Sequence, residues 1–414
     1  MALAFFAIGI IRYISGLPLG LSIDGVLFLV FLALLVKKNN KPDWSKAARG
    51  ITWASLIWFA YNFLQLFNPQ AVSKAAWFYA MRGVSLYMVM IIPLVLVLWD
   101  DRKHLQNFVD CWLVFSLLGT LKGIMQNTIG PDFAEQAWLD AGAATQHILF
   151  GKLRVFSFYS DAGQFGASQG HAGIMALILA LSPKNPFKRK LWYGFSALMA
   201  FYGMMISGTR GAMAVPAAGF ITYLFLSKNF KVLLLGLFCM FSVFFVLKYT
   251  SLFHNIYAVR RMRTGLDPNE PSLQVRIRNQ KKLAVYLRSR PFGGGVGSAG
   301  NWGLRFSPNT FLAQTPTDSW YVRIWAEEGV VGLYLHLAIL FYIAIHGGYY
   351  IWHLKDAQLR QMLMGLHGGM MGIYAASYGN GVLGQMPTGI LLYTSMAFIF
   401  LGPQLDRTPQ KDTS

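Results

Sequence analysis

Three clusters in this chain have the residue types for chemistry on an anionic substrate. SGTRGA (207–212) holds Arg210 between glycines, at a turn so tight that the apolar runs on either side almost meet. A guanidinium mounted that rigidly offers a planar fork of donors matching phosphate. SLQVRIRNQKKLAVYLRSRPFGGGVGS (272–298) carries Arg276, Arg278, Arg288 and Arg290 ahead of Gly293, Gly294, Gly295 and Gly297. TPTDSWYVRIWAEEGVVG (315–332) sets Asp318 just before an apolar run that contains Tyr321, Glu327 and Glu328.

Each feature has a bland reading beside the chemical one. Arg210 reads as a phosphate ligand or as an interfacial anchor. Asp318 reads as a helix N-cap or as a general base that takes a proton from an acceptor hydroxyl. Within each pair, Arg276 with Arg278 and Arg288 with Arg290, the members point about 200° apart on a helix, so one of each lines a site. Arg276 and Arg290 return to nearly the same face. Glu327 and Glu328 lie two turns into an apolar helix, where charge needs a partner such as Arg323 or Arg210. Arg82 in FYAMRG and Arg154 in RVFSFYSD are further candidates, each expected on the same face. The glycine run lacks the strand–loop–helix setting of a nucleotide site and reads as a flexible or close-packed turn. The eight histidines are scattered, so neither a metal nor another cofactor is expected. Cys111 and Cys239 both fall in apolar segments and imply no disulfide framework.

The elements that hold these residues are membrane helices. The chain is 55% hydrophobic and only 13% charged, against roughly a quarter charged in soluble domains. Long apolar runs without alternation are helices, because in lipid each backbone group must be satisfied within its own segment. The expected class is all-α and polytopic, with about twelve spans near 3–17, 21–36, 50–66, 83–99, 106–126, 164–182, 191–207, 211–227, 231–249, 321–347, 360–379 and 386–402. Nine spans thus occupy 1–249, a large loop fills 250–320, three spans fill 321–402, and 403–414 is a cytoplasmic tail.

The short basic connectors 37–49, 100–104, 182–190, 227–231 and 353–360 all fall on one side, and the positive-inside bias makes that side cytoplasmic. Loops 67–82, 127–163, 208–211, 250–320 and 380–386 then lie outside. Between 251 and 317, eight Arg and two Lys stand against Asp267 and Glu270, a balance of +8 on a loop that the bias would keep acid or neutral. An external anion-binding surface accounts for this, with lipid head groups as the bland alternative. Residues 273–290 form an imperfect apolar stripe through Leu273, Ile277, Leu283, Val285, Tyr286 and Leu287, as in an amphipathic helix on the membrane surface. The net charge of +19 is spread between spans and forms no separate basic domain, so nucleic acid is not the partner.

At SGTRGA, at the arginine-rich 276–298 stretch and at TDSWYVRIWAEEGVVGL, the chain resembles the O-antigen ligase and O-antigen polymerase superfamily. The motif likeness covers roughly residues 200–345. The resemblance implies a bacterial inner-membrane glycosyltransferase of the GT-C kind, inverting and metal-independent, with its active face and large loop periplasmic. It implies an undecaprenyl-diphosphate-linked glycan as donor, a glycan or lipid A-core as acceptor, and surrounding membrane lipids. It assigns Arg210, Arg276 and Arg290 to the donor diphosphate. Where ligases carry a His-Asn pair, this chain reads Asp318–Ser319, ahead of Tyr321 and Glu328–Gly329. That departure favours a polymerase over a ligase. A transporter of lipid-linked glycans is the competing class, although alternating access calls for a site at the midplane and not for arginines gathered on one side.

Overall fold

The computed structural model describes residues 1–14, 19–37, 41–149, 151–251, 259–260, 263 and 271–407. Asp267 and Glu270, with much of the loop before Pro271, and the last residues of the expected tail lie outside the described residues. The long helices are α1 (Ala2–Ile10), α2 (Leu19–Val36), α3 (Gly50–Leu64), α4 (Lys74–Leu98), α5 (Arg102–Thr128), α6 (Ala162–Ala180) and α7 (Phe187–Ile206). They continue with α8 (Ala214–Leu226), α9 (Phe230–Tyr249), α10 (Pro271–Leu287), α11 (Trp320–His353), α12 (Ala357–Ala376) and α13 (Thr388–Arg407). Among the described residues the one sheet is a pairing of Ile148–Leu149 with Lys152–Leu153.

Eleven of the twelve expected apolar segments fall largely on helices, and the first, 3–17, is helical over Ala2–Ile10, with 15–17 outside the described residues. Four helices, α4, α5, α11 and α13, combine the length and hydropathy needed to cross a membrane. Several boundaries differ from the sequence reading, among them those of α4 and α11. Helix α4 begins at Lys74, where Ser73 Oγ accepts from the Ala76 N–H at 3.2 Å, and not near residue 83. Arg82 therefore lies about 12 Å inside a helix instead of at its end. Helix α11 runs on to His353.

The bundle is built around α6, whose residues are buried from Ala162 to Leu179 except Leu177. Its glutamines find partners on neighbouring segments. Gln169 Oε1 accepts from Ser116 Oγ at 2.7 Å and from Thr120 Oγ1 at 3.2 Å, both on α5. Helices α8 and α12 approach backbone to backbone, since a Cβ at Gly219 would stand 2.8 Å from the Gly368 carbonyl oxygen.

The connectors sort to two ends. At one end, Lys46 pairs with Asp100 at 2.5 Å, Arg102 with Asp356 at 2.6 Å, and Arg49 Nη1 donates to the Phe400 carbonyl at 2.8 Å. These contacts gather the connectors 37–49, 100–104 and 353–360 with the end of α13. At the other end the 65–73 turn, the 127–161 segment, the 207–213 turn, α10 and the 377–387 turn come together around the candidate site. Helix α10 packs through Leu283 and Leu287 against Ala299, Leu312 and Ala326, and Tyr286 stacks on Phe311 at 4.5 Å. Val285, expected on the apolar stripe, is 73% exposed instead, because it lies on the opposite side of the helix from Leu283 and Leu287.

Candidate functional site

The turn after α7 is shaped by Gly208, with φ +58°, and continues as a 3-10 turn from Arg210 to Met213. Thr209 Oγ1 donates to the Ala162 carbonyl at 2.9 Å, which fixes the turn to the start of α6. Arg154 Nη2 donates to the same hydroxyl at 3.3 Å, bringing the 127–161 segment in. Arg210 Nη2 in turn reaches across to Ser272 Oγ at 2.9 Å. Ser272 stands one helical turn before Arg276 on α10, so Arg210 and Arg276 share one side of that helix.

Arg276 Nε lies 3.4 Å from Asp318 Oδ2, and the carboxylate is half exposed. An Arg276 Nη1 position also comes within 3.9 Å of a Cβ placed at Gly379. Asp318 does not cap α11. That task falls to Ser319, whose Oγ accepts from the Val322 N–H at 3.5 Å. The backbone of Asp318 sits at φ +22°, outside the regions a non-glycine residue prefers. The Trp320 N–H donates to the Ser377 carbonyl at 2.9 Å, which pins this strained corner to the end of α12. The N-cap alternative for Asp318 is thereby removed, and a solvent-accessible carboxylate remains beside a guanidinium.

The corner is held from behind by a break in α11. Gly329 has φ +72° and ψ −171°, and the glycine run of the large loop plugs the gap. The Gly294 N–H donates to the Ala326 carbonyl at 3.0 Å and the Gly295 N–H to the Glu327 carbonyl at 2.7 Å, while the Val331 N–H donates to the Pro291 carbonyl at 3.2 Å. A Cβ at Gly329 would stand 2.0 Å from the Pro291 carbonyl oxygen, and one at Gly293 2.4 Å from the Gly329 nitrogen. Of the two turn readings for PFGGGVG, the close-packed one holds, and two of its amide N–H groups are spent on helix carbonyls instead of a phosphate. Glu327 finds the partner its depth requires in Arg323, at 3.0 Å, with the Ala299 N–H at 3.3 Å.

Residues 195–337 match the family model described as O-antigen ligase. Over this stretch the chain is similar to that family. No match was found among curated proteins. The matched stretch contains Arg210, Arg276 and Asp318, the three residues that the structure draws to one corner.

Other expected site residues stand apart from this corner of the matched stretch. Arg278 is exposed on α10, two residues from Arg276, and Arg288 is exposed past the end of the helix. Arg290 follows Arg276 by about 20 Å along the helix direction. It is engaged there, with Nη1 on the Tyr286 carbonyl at 2.7 Å, Nε on Gln70 Oε1 at 3.2 Å and its guanidinium over the Tyr286 ring. Arg82 pairs with Asp24 at 2.5 Å within the bundle. Tyr321 donates to the Tyr374 carbonyl at 2.7 Å and ties α11 to α12. Glu328 is fully buried beside Tyr61 and faces the bundle.

Sequence reasoning missed four residues at the corner: Asp161, Ser272, Asn380 and Gln385. Asp161 caps α6 through the Gln164 N–H at 2.9 Å, and Gln385 Nε2 donates to its other oxygen at 3.5 Å. The available signal was the turn YGNGVLGQMP, where two amides sit among glycines between apolar helices.

Proposed function

We propose that the protein transfers a glycan from an undecaprenyl-diphosphate-linked donor to a sugar hydroxyl, on the periplasmic face of the inner membrane, as an O-antigen or exopolysaccharide polymerase. The observation that carries the reading is the Arg210–Ser272–Arg276–Asp318 sequence of contacts within the ligase-type domain. Arg210 and Arg276, with Arg154 behind, supply cationic donors for a diphosphate, and Asp318 supplies a base within reach of the same anion. In the reaction the acceptor hydroxyl gives its proton to Asp318 and its oxygen bonds to the anomeric carbon. The bond from that carbon to the phosphate oxygen breaks, with inversion. Charge then develops on the leaving diphosphate, and preorganised arginines stabilise it where water is partly excluded. No step needs a metal. The glycine run holds the corner from behind, while Arg290 and Glu328 stand apart from it, and none of them touches the reacting atoms in this scheme.

A ligase that passes the glycan to lipid A-core is the second reading, and the description of the matched family favours it. The Asp318–Ser319 pair, standing where the resemblance places His-Asn in ligases, favours the polymerase. One experiment separates them. Purified protein in lipid receives an undecaprenyl-diphosphate-linked oligosaccharide, and free undecaprenyl diphosphate and glycan length are followed together for wild type and Arg210→Ala. Release with a ladder of lengthened glycans, lost in the variant, is the expected result. Release only on adding lipid A-core gives the ligase. Absence of release despite bound donor moves the protein to transport.

A further inference from the structure

The corner holds more polar surface than a diphosphate and a base require. The turn from Ser377 to Pro387 is fastened at both ends: the Asn380 N–H donates to the Ala376 carbonyl at 3.1 Å, the Gly389 N–H to the Gln385 carbonyl at 2.7 Å, and Gln164 of α6 donates to the Met386 carbonyl. On this fixed turn two amide groups point inward. Asn380 lies against the arginine turn, with Nδ2 2.7 Å from a Cβ built at Gly211 and Oδ1 3.3 Å from one built at Gly163. Gln385 leans on Asp161, whose carboxylate also accepts from Ser160 Oγ at 2.9 Å. Asn380 Nδ2 and Gln385 Oε1 are nevertheless buried and bond no protein group. A buried donor and a buried acceptor left in this state each cost free energy unless a ligand or water completes them.

We infer that Asp161, Asn380 and Gln385 form a sugar subsite that binds hydroxyls of the donor's diphosphate-proximal residue. The inference rests on the glycosyl-transfer reading and extends it. The chemistry is specific: a neutral NH donor, a neutral carbonyl acceptor and one carboxylate suit a hydroxylated ring, whereas a second phosphate would meet Asp161 as a like charge. The location is specific too. Gly379 and Gly211 bring this turn alongside Arg276 and Arg210, so a ring linked to a diphosphate held there reaches the amides without leaving the corner. Because the turn is pinned by backbone bonds, the amides are preorganised and their contribution to binding is not offset by ordering a loop.

The test compares binding of undecaprenyl diphosphate with binding of the undecaprenyl-diphosphate-linked oligosaccharide, for wild type, Asn380→Ala, Gln385→Ala and Arg210→Ala in lipid discs. Expected is a loss of about tenfold in affinity for the glycosylated donor in each amide variant, from one lost hydrogen bond near a buried site. Affinity for the bare diphosphate lipid should stay within about twofold, and Arg210→Ala should weaken both ligands. Asn380→Leu, which keeps approximate shape and charge but removes the donor, should follow Asn380→Ala and so set aside a packing effect. If the amide variants weaken both ligands equally, or neither, the subsite is wrong while the diphosphate reading stands. Equal affinity of wild type for both ligands has the same meaning. Wild type that binds neither ligand overturns the transfer reading and the subsite with it.

Discussion

Arg276 Nε and Asp318 Oδ2 face each other at 3.4 Å, forty-two residues apart in sequence, across the junction between α10 and α11. The contact is loose and partly solvated, so it holds the two charges near one another at little energetic depth. In the proposed transfer, a diphosphate arriving at Arg276 would compete for the guanidinium and release the carboxylate toward an acceptor hydroxyl.

Replacing Asp318 tests the base directly. Asp318→Asn and Asp318→Ala should slow release of undecaprenyl diphosphate by about 10²- to 10⁴-fold in single turnover, the range for losing a general base. Donor affinity should be kept. Melting temperature should hardly move, since Ser319 and not Asp318 caps the helix. Near-normal turnover in both variants would remove the base assignment.

Ser319→Ala probes positioning without touching the charge. Loss of the cap should cost about 1 kcal/mol of stability. Turnover should fall less than in Asp318→Asn, because the carboxylate is still present but its corner is less well held. Thermal unfolding and the turnover assay on one preparation give both readings.

Arg210→Lys and Arg276→Lys ask whether charge alone suffices. A lysine keeps the charge but not the planar fork. Each variant should retain weak donor binding and lose about 10²- to 10³-fold in transfer, comparable to removing one transition-state donor. Full rescue by lysine would argue for general electrostatic attraction and against a shaped diphosphate site.

The break in α11 predicts a stability effect remote from the chemistry. Gly329→Ala and Gly293→Ala force a Cβ into backbone at 2.0 and 2.4 Å, each at positive φ. Each should destabilise the protein by about 2 kcal/mol or more. Gly300→Ala, where a Cβ meets open space but φ is also positive, should cost distinctly less. Equal melting temperatures for the three would mean that the plug is not packed as described.

Asp132 gives an acid dependence whose sign is fixed. Burial pushes its carboxyl up, but hydrogen bonds from Lys122, Tyr13 and the Glu135 backbone outweigh that and hold it down at about 2. A carboxyl depressed on folding stabilises the protein above its ordinary value, 3.8, and loses that contribution as pH falls toward 2. Asp132→Asn should flatten the fall in melting temperature over this window. A variant with the same acid profile as wild type would assign the fall to other carboxylates.

Much of this was legible in the sequence where physics acts locally. Apolar runs in lipid have one regular solution, so eleven of the twelve segments lie largely on helices and the first is helical as far as Ile10. Arg210 stood out by its tight glycine turn, and the i, i+2 geometry set Arg276, which meets Asp318, on a different side of the helix from the exposed Arg278. What failed was distance. Face matching returned Arg290 to the side of Arg276 but ignored the rise of the helix, which carries it away. Arg82 was misplaced because Lys74, polar and nine residues before the expected apolar run at 83–99, disguised where α4 begins. Asn380 and Gln385 were invisible for a different reason: their importance comes from α6 and the 207–213 turn, which no local pattern encodes.

The interlock between residues 291–297 and the broken segment 326–331 has a practical corollary for engineering. The loop and the helix it enters are one mechanical part, each completing the other's backbone hydrogen bonds. A chimera that exchanges the large loop with a relative's must carry both halves across, with crossover points before Pro291 and after Val331. A swap that stops between them would leave carbonyls without donors and misalign Asp318, whichever glycan the donor loop had been chosen for.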